Sequence, residues 1–391
     1  MRKNIPAAYI ATKAPAGSRH VLMLGGLAQS FINFRGPLIR EMLRRGHRVT
    51  AVAGNYDADV SAALKIWGAE YQVVSLARAG MNPLADVMSL RSLFLLMRAA
   101  KPDLFLSYTI KPNTYGLIAA RLAGVPSRYA MITGLGYAFI DGREAKRRLA
   151  QSAATILYRL ALRYAAAVIF QNSDDEAFFR RHILKPDART YCVGGSGVDL
   201  THYSKANFPP GPITFLMIAR LLRDKGVFEF IEAARIVKRS NPDARFVLIG
   251  PLDPSPDAVA LGELDVCVGE GTIEYRGAVA DVRPHIARCH VYMLPSYREG
   301  TPRTVLEAMA MGRPIITTDV PGCRETIGHA RANGRLVPAR DPKALAEAAF
   351  EMLSLSPQAL EAMGEASLNL ARRRFDVEQV TAAILSIVEL S

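Results

Sequence analysis

Two glutamates with seven residues between them, Glu299 and Glu307 in "YREGTPRTVLEAMAMG" (297–312), pose the first chemical question. The intervening Gly300, Thr301, Pro302, Arg303 and Thr304 read as a loop turning into a helix. Thr301 suits the N-cap, Pro302 the first helical position and Gly312 the stop. A helix start carries N–H groups without an intrahelical acceptor, so it attracts anions, and here carboxylates stand beside it. Upstream, "ARLLRDKG" (219–226) places Arg220 and Lys225 directly after the apolar run "ITFLMI" (213–218). A guanidinium fork and a lysine point charge at the carboxyl end of a strand suit a diphosphate. Each feature alone also fits a solvated turn. Together they suit a reaction in which a nucleoside diphosphate leaves, its growing charge stabilised by Arg220, Lys225 and the helix start without a metal.

The elements that must position these residues are legible as alternating short apolar runs and helical segments. In the first half the runs are "HVLML" (20–24), "RVTAVA" (48–53), "YQVVSL" (71–76), "DLFLSY" (103–108), "RYAMI" (128–132) and "AVIF" (167–170). The second half repeats the scheme with "ITFLMI" (213–218), "RFVLI" (245–249), "HVYML" (290–294) and "PIITT" (314–318), then a helix-rich tail from 341. Unbroken apolar strands imply parallel sheets covered by helices on both faces. The patterns break at "THYSKANFPPGP" (201–212), which divides the chain into domains 1–205 and 206–391. The expected class is α/β, two doubly wound Rossmann-like domains facing across a cleft. Gly25 and Gly26 follow the first strand, where the missing side chain allows close approach of a ligand and the chain. Thr109 and Lys111 in "YTIKPN" lie at another strand end, and Thr133 and Gly134 open "TGLGYAF" at a third.

Several motifs point elsewhere only weakly. "DAD" (57–59) has the form of a metal-binding pair of aspartates but sits in a loop. "GGSGVDL" (194–200) does not open a helix, and no dinucleotide fingerprint, P-loop, HExxH or metal-spaced histidine cluster occurs. The four cysteines form no CxxC pair and read as reduced, buried residues.

Charge is unevenly placed. Residues 1–200 hold 27 Lys+Arg against 13 Asp+Glu, and residues 201–391 hold 22 against 23. The first half therefore faces something anionic. No signal-peptide core and no membrane-length apolar run is present. Nucleic acid lacks a recognition fold or stacking platform. A membrane surface fits better, through Arg143, Lys146, Arg147 and Arg148 and the apolar segment 85–101.

"ARLLRDKG" followed by "EGTPRTVLEAMAMGRPIITTDVPGCRETI" resembles the retaining GT-B-fold glycosyltransferases of family 4, whose signature is a Glu, seven residues and a second Glu. The resemblance implies that Arg220 and Lys225 grip the donor diphosphate and that Glu299 contacts the transferred sugar. It further implies that backbone amides after Glu299 contact phosphate and sugar, and that Glu307 holds the ribose. "GGLAQSFINFRGPLIREMLRRGH", "NPLADVMSLRSL", "YTIKPNTYG" and "YAMITGLGYAF" are similar to a narrower group, bacterial enzymes extending undecaprenyl-diphosphate-linked sugars, N-acetylgalactosaminyltransferase-like. Implied are a UDP-sugar donor carrying an N-acetylhexosamine or hexose, a polyprenyl-diphosphate-linked saccharide as acceptor, no cofactor or metal, and a peripheral place on the cytoplasmic face of the membrane. The acid/base histidine of many members has no counterpart in "TGLGYAF". Two alternatives stay open, a UDP-sugar 2-epimerase of the same fold and a non-catalytic nucleotide-sugar binding protein.

Overall fold

The computed structural model describes residues 17–76, 83–135, 145–253, 255 and 257–390, without side-chain placement for Pro83 and 145–150. Its first run of elements is β1 (His20–Leu24), α1 (Gln29–Arg44), β2 (Arg48–Ala53), α2 (Ala58–Trp67), β3 (Glu70–Val73), α3 (Pro83–Ala100) and β4 (Leu104–Tyr108). It continues through α4 (Leu117–Ala123), β5 (Ser127–Ile132), α5 (Ala145–Leu162), β6 (Ala167–Phe170), α6 (Ser173–His182) and β7 (Thr190–Cys192). A second run follows as β8 (Thr214–Ile218), α7 (Val227–Lys238), β9 (Arg245–Ile249), α8 (Leu261–Gly269), β10 (Glu274–Tyr275), α9 (Arg283–Ala287) and β11 (Val291–Leu294). Then come α10 (Arg303–Ala310), β12 (Ile315–Thr318), β13 (Gly334–Val337), α11 (Pro342–Ser354), α12 (Pro357–Arg374) and α13 (Val377–Ile387).

The strands form two sheets of the same winding. One has the order β3-β2-β1-β4-β5-β6-β7 and the other β10-β9-β8-β11-β12-β13. β1 pairs in parallel with both β2 and β4, and β8 in parallel with both β9 and β11. In each sheet the winding direction therefore reverses between the first and fourth strands, where doubly wound sheets bind their ligands. The runs "HVLML" and "TFLMI" are buried along their whole length, as unbroken hydrophobicity requires. By contact density the chain separates into two units: Met1–Tyr129 with Tyr164–Ala166 and Leu390, and Ala130–Arg163 with Ala167–Glu389 and Ser391.

α1 carries Pro37 within it. One local expectation is corrected. Cys192 is exposed, at the end of the edge strand β7, whereas Cys267, Cys289 and Cys323 are buried. The "DAD" stretch serves a helix start, since the Asp57 carboxylate accepts from the Val60 N–H at 3.0 Å and caps α2.

Candidate functional site

The predicted cations and carboxylates meet at the reversal point of the second sheet. Arg220 and Lys225 follow β8, and Glu299 follows the adjacent β11. Gly226 makes the connection compact. Its φ is +77°, and a Cβ there would lie 2.1 Å from the Pro295 carbonyl at the end of β11. Lys225 Nζ lies 2.6 Å from Glu299 Oε1, with 16% and 17% of the two side chains exposed. Burial disfavours the lysine charge, but the Glu299 carboxylate outweighs it and holds the Lys225 pKa above its ordinary value. Arg220, more open, pairs with Asp253 at 2.7 Å.

The loop bearing Glu299 is held on several sides. The Glu299 N–H donates to the Pro321 carbonyl at 3.1 Å. Gly322, at φ +80°, packs so tightly that a Cβ would lie 2.4 Å from the Glu299 carbonyl and 2.6 Å from that of Gly300. The helix after the loop starts one residue later than predicted, at Arg303. Pro302 takes the extended N-cap position, without a side chain to cap with. Thr301 does not cap: its hydroxyl donates toward the Gln171 carbonyl at 2.8 Å and the Gly300 carbonyl at 2.9 Å. The Thr304 hydroxyl bonds to Tyr292, whose own hydroxyl donates to the Ile218 carbonyl at 3.1 Å, so the first turn of α10 is tied to the end of β8.

Glu307 lies one turn into α10 and is 5% exposed. Arg303 Nε donates to its carboxylate at 2.9 Å and the Tyr203 hydroxyl hydrogen-bonds to it. Burial pushes its pKa up against the pull of Arg303. The seven-residue spacing thus separates two environments. Glu299 stands before the helix against a lysine, and Glu307 within it against an arginine and a tyrosine.

Thr133 and Gly134 come to the same loop, since a Cβ on Gly300 would lie 2.2 Å from the Thr133 carbonyl. Beside them stands a set that the motifs above do not include, "QNSDDE" (171–176). Asn172 caps α6 by accepting from the Asp175 N–H at 2.8 Å, and its amide donates to the Gly300 carbonyl at 2.7 Å. Asp175, fully buried, pairs with Arg298, the residue before Glu299. Burial pushes the Asp175 carboxyl up, while Arg298 draws it back. Outside this, Asp174 pairs with Arg324 at 2.8 Å and Ser173 Oγ donates to Glu325 at 2.7 Å. An Asn followed by acids is a legible helix cap. Its second role, holding the Glu299 loop, depends on a fold contact.

The remaining candidates lie in the other unit. Gly25 is required by Tyr108, whose hydroxyl would be 2.3 Å from a Cβ, and Gly26 packs on the Thr109 hydroxyl. Lys111 Nζ is held by Asp86 at 2.8 Å. Of the basic cluster, Arg143 and the side chains of Lys146, Arg147 and Arg148 lie outside the described residues.

The family model for Glycosyl transferases group 1 matches residues 212–354, and that for a Glycosyl transferase 4-like domain matches 35–193. One similar protein is the N,N'-diacetylbacillosaminyl-diphospho-undecaprenol alpha-1,3-N-acetylgalactosaminyltransferase of Campylobacter jejuni. It is 31% identical over 77% of this chain and 81% of its own length. Another is the UDP-Gal:alpha-D-GlcNAc-diphosphoundecaprenol alpha-1,3-galactosyltransferase of Escherichia coli, 28% identical over 61% of this chain and 63% of its own. Among solved structures, the sucrose-phosphate synthase of Thermosynechococcus elongatus matches with a TM-score of 0.78 at 17% identity, covering 95% of this chain and 98% of that one. Anabaena HepE, solved with UDP and glucose, matches at 0.72 and 18%, covering 95% and 99%. These likenesses show the fold as GT-B, two Rossmann-like domains.

The Asp175–Arg298 pair generates a stability prediction. Arg298→Met leaves a buried carboxylate uncompensated and should cost on the order of 3–5 kcal/mol in urea unfolding. Adding Asp175→Asn should recover much of that loss by removing the orphaned charge. Strictly additive losses would show that the two side chains are not coupled.

Proposed function

Because the chain belongs to the group 1 glycosyltransferases, and is itself a glycosyltransferase, we propose that it moves an N-acetylhexosamine or hexose from a UDP-sugar to a polyprenyl-diphosphate-linked saccharide. The observation that carries this reading is the Lys225–Glu299 pair at the β8/β11 reversal point. A donor diphosphate lying over the first turn of α10 takes Lys225 and Arg220 as countercharges. Glu299, released from Lys225, then turns to the hydroxyls of the transferred sugar. Glu307, one turn along, takes the ribose in place of Arg303. The acceptor oxygen bonds to the anomeric carbon as its bond to the phosphate breaks. The acceptor proton goes to the departing UDP, and configuration is retained. Enough positive charge is supplied by side chains that no metal or cofactor is needed.

The acceptor side of the proposal rests on the two bacterial relatives, whose names carry diphospho-undecaprenol substrates. In this chain residues 1–205 would form the acceptor-binding, membrane-facing part and residues 206–391 the donor-binding part. α3 supports a membrane contact. Leu84, Val87, Met88 and Leu95 are exposed on it, and so are Arg91 and Arg98. Exposed apolar side chains among basic ones suit an anionic lipid surface. Among the described residues no helix is long and apolar enough to cross a membrane. The proposed location is the cytoplasmic face of the membrane, without a nucleic-acid partner.

Incubation with a panel of UDP-sugars and a polyprenyl-diphosphate saccharide, read by mass spectrometry, tests the reading. One donor should add a single hexose or N-acetylhexosamine mass, with EDTA leaving the rate largely intact. Conversion of UDP-sugar to its 2-epimer without acceptor would favour the isomerase alternative. Arg220→Ala and Lys225→Ala should each lower kcat/KM by an amount equivalent to about 2–4 kcal/mol. Wild-type values in either variant would remove the diphosphate assignment.

The membrane contact has its own test. The protein should sediment with liposomes containing anionic lipid and be released as salt rises. Leu84→Ser together with Met88→Ser should weaken that binding while sparing transfer to a short, soluble acceptor analogue. Binding indifferent to salt, to anionic lipid and to both substitutions would remove α3 as the contact.

A further inference from the structure

Arg35 is a buried cation for which the first unit supplies no counter-ion among the described residues. It lies in α1, 3% exposed, with its guanidinium carbon 4.9 Å from the centre of the Tyr108 ring. Its Nε is sealed from solvent without an acceptor, and among the described residues no side chain or carbonyl accepts from the guanidinium. Burial pushes its pKa down to about 10, which leaves it charged at neutral pH. A cation stacked on an aromatic face recovers part of its lost hydration, but the sealed Nε still lacks a partner.

Arg313 shows how this chain treats a buried guanidinium that holds structure together. Fully buried, it donates to the carbonyls of Ile286 at 3.0 Å, Asn207 at 2.9 Å and Ala287 at 3.1 Å. Arg298, 18% exposed, is paired with Asp175, and each of these two guanidiniums leaves one nitrogen without an acceptor, Arg313 Nη1 and Arg298 Nε. Arg35 is nearly as buried as Arg313 and, among the described residues, has no acceptor on any nitrogen. An interior that desolvates a charge without pairing it is destabilised, so such a group points to a ligand.

Its surroundings are those of a ligand site. Tyr108 ends β4, and Gly25 follows β1 at the point where the winding of the first sheet reverses. The Tyr108 hydroxyl sits over Gly25, 2.3 Å from where a Cβ would be, and meets Ser30 Oγ at 2.7 Å. Thr109 is held at φ +74°, a left-handed conformation that is strained for a β-branched residue, with Gly26 packed on its hydroxyl. A strained backbone residue, two close-packed glycines and the Tyr108 and Ser30 hydroxyls thus gather beside an unpaired cation.

We propose that Arg35 anchors an oxyanion site in the first unit that takes a phosphoryl or diphosphate group. The guanidinium fork supplies paired donors, beside the Tyr108 and Ser30 hydroxyls, which bond to each other and, from Ser30, to the Leu27 carbonyl. The choice of phosphate over carboxylate rests on the glycosyl-transfer reading, in which two diphosphates take part, one on the nucleotide donor and one on the polyprenyl acceptor. The excess of basic residues in 1–200 favours entry of either.

The test uses the full chain labelled with 15N-arginine, the Arg35 Nε–H signal being assigned by its loss in Arg35→Met. Inorganic pyrophosphate at millimolar concentration should shift that signal saturably, and sodium chloride of equal ionic strength should not. Geranyl diphosphate and UDP distinguish the sources. A shift with the prenyl compound alone assigns the acceptor diphosphate, and a shift with UDP alone assigns the donor. In the absence of ligand, Arg35→Met should unfold at the wild-type temperature or above it, since an unpaired buried charge has been replaced by an apolar chain of similar length. Its KM for the polyprenyl-linked acceptor, or for the donor in the second case, should rise at least tenfold. A signal unmoved by all three phosphates, or an Arg35→Met variant that unfolds several degrees earlier, would make Arg35 a packing residue and overturn the site. If only the lipid-linked acceptor reading is wrong, the pyrophosphate response remains.

Discussion

The ion pair between Lys225 and Glu299 is the interaction around which the second sheet is arranged. It joins the loop after β8 to the loop after β11, the two adjacent strands at which the winding reverses. Less than a fifth of either side chain is exposed, so salt screens the pair poorly and each charge depends on the other. The surrounding backbone is built to hold that distance. Gly226 lets one loop rest on the Pro295 carbonyl, Gly322 lets the other rest on its own turn, and Tyr292 ties α10 to the end of β8. A site made in this way is preorganised for an anion, because its cation is already placed and only the counter-ion has to change.

The Glu299 loop is held from a second direction by Asn172 and Asp175, through the Gly300 carbonyl and Arg298. A buried pair of this kind adds little net stability, since desolvation offsets much of the attraction. Its effect is to make one loop position far better than its neighbours. Glu307 is held differently, inside a helix and against Arg303 and Tyr203, in surroundings that favour its neutral form. Two glutamates of identical chemistry are thereby given unequal electrostatic settings, which suits the separate roles proposed for them.

Much of this was legible in the residues. Unbroken apolar runs marked most of the buried strands, and the placement of Arg220, Lys225, Glu299 and Glu307 after them marked the candidate site. What was not legible depends on contacts between distant segments. β7, β10 and β13 are short, with partly exposed residues, and escaped notice because their pairing rather than their hydrophobicity makes them strands. Thr301 has the composition of an N-cap, but the Gln171 carbonyl competes for its hydroxyl. "QNSDDE" reads locally as a helix start, and nothing in its spacing points to Arg298. The glycines of "GGSG" (194–197), set aside as a poor nucleotide loop, are explained by close packing: Gly194 faces the Arg374 carbonyl, Gly195 the Thr301 side chain and Gly197 the Val377 backbone.

The central claim is that Glu299 serves the sugar and is Lys225's counter-ion only until a diphosphate replaces it, whereas Glu307 serves the nucleoside. Calorimetric titration of UDP into Glu299→Gln and Glu307→Gln tests this most directly, because UDP carries the nucleoside and the diphosphate but no sugar. The account predicts that Glu299→Gln binds UDP as tightly as the wild type or more tightly, having lost a competitor for Lys225, although its turnover collapses. Glu307→Gln should bind UDP about tenfold more weakly, a loss near 1.4 kcal/mol. Tenfold weaker binding by Glu299→Gln, with Glu307→Gln unchanged, would contradict it.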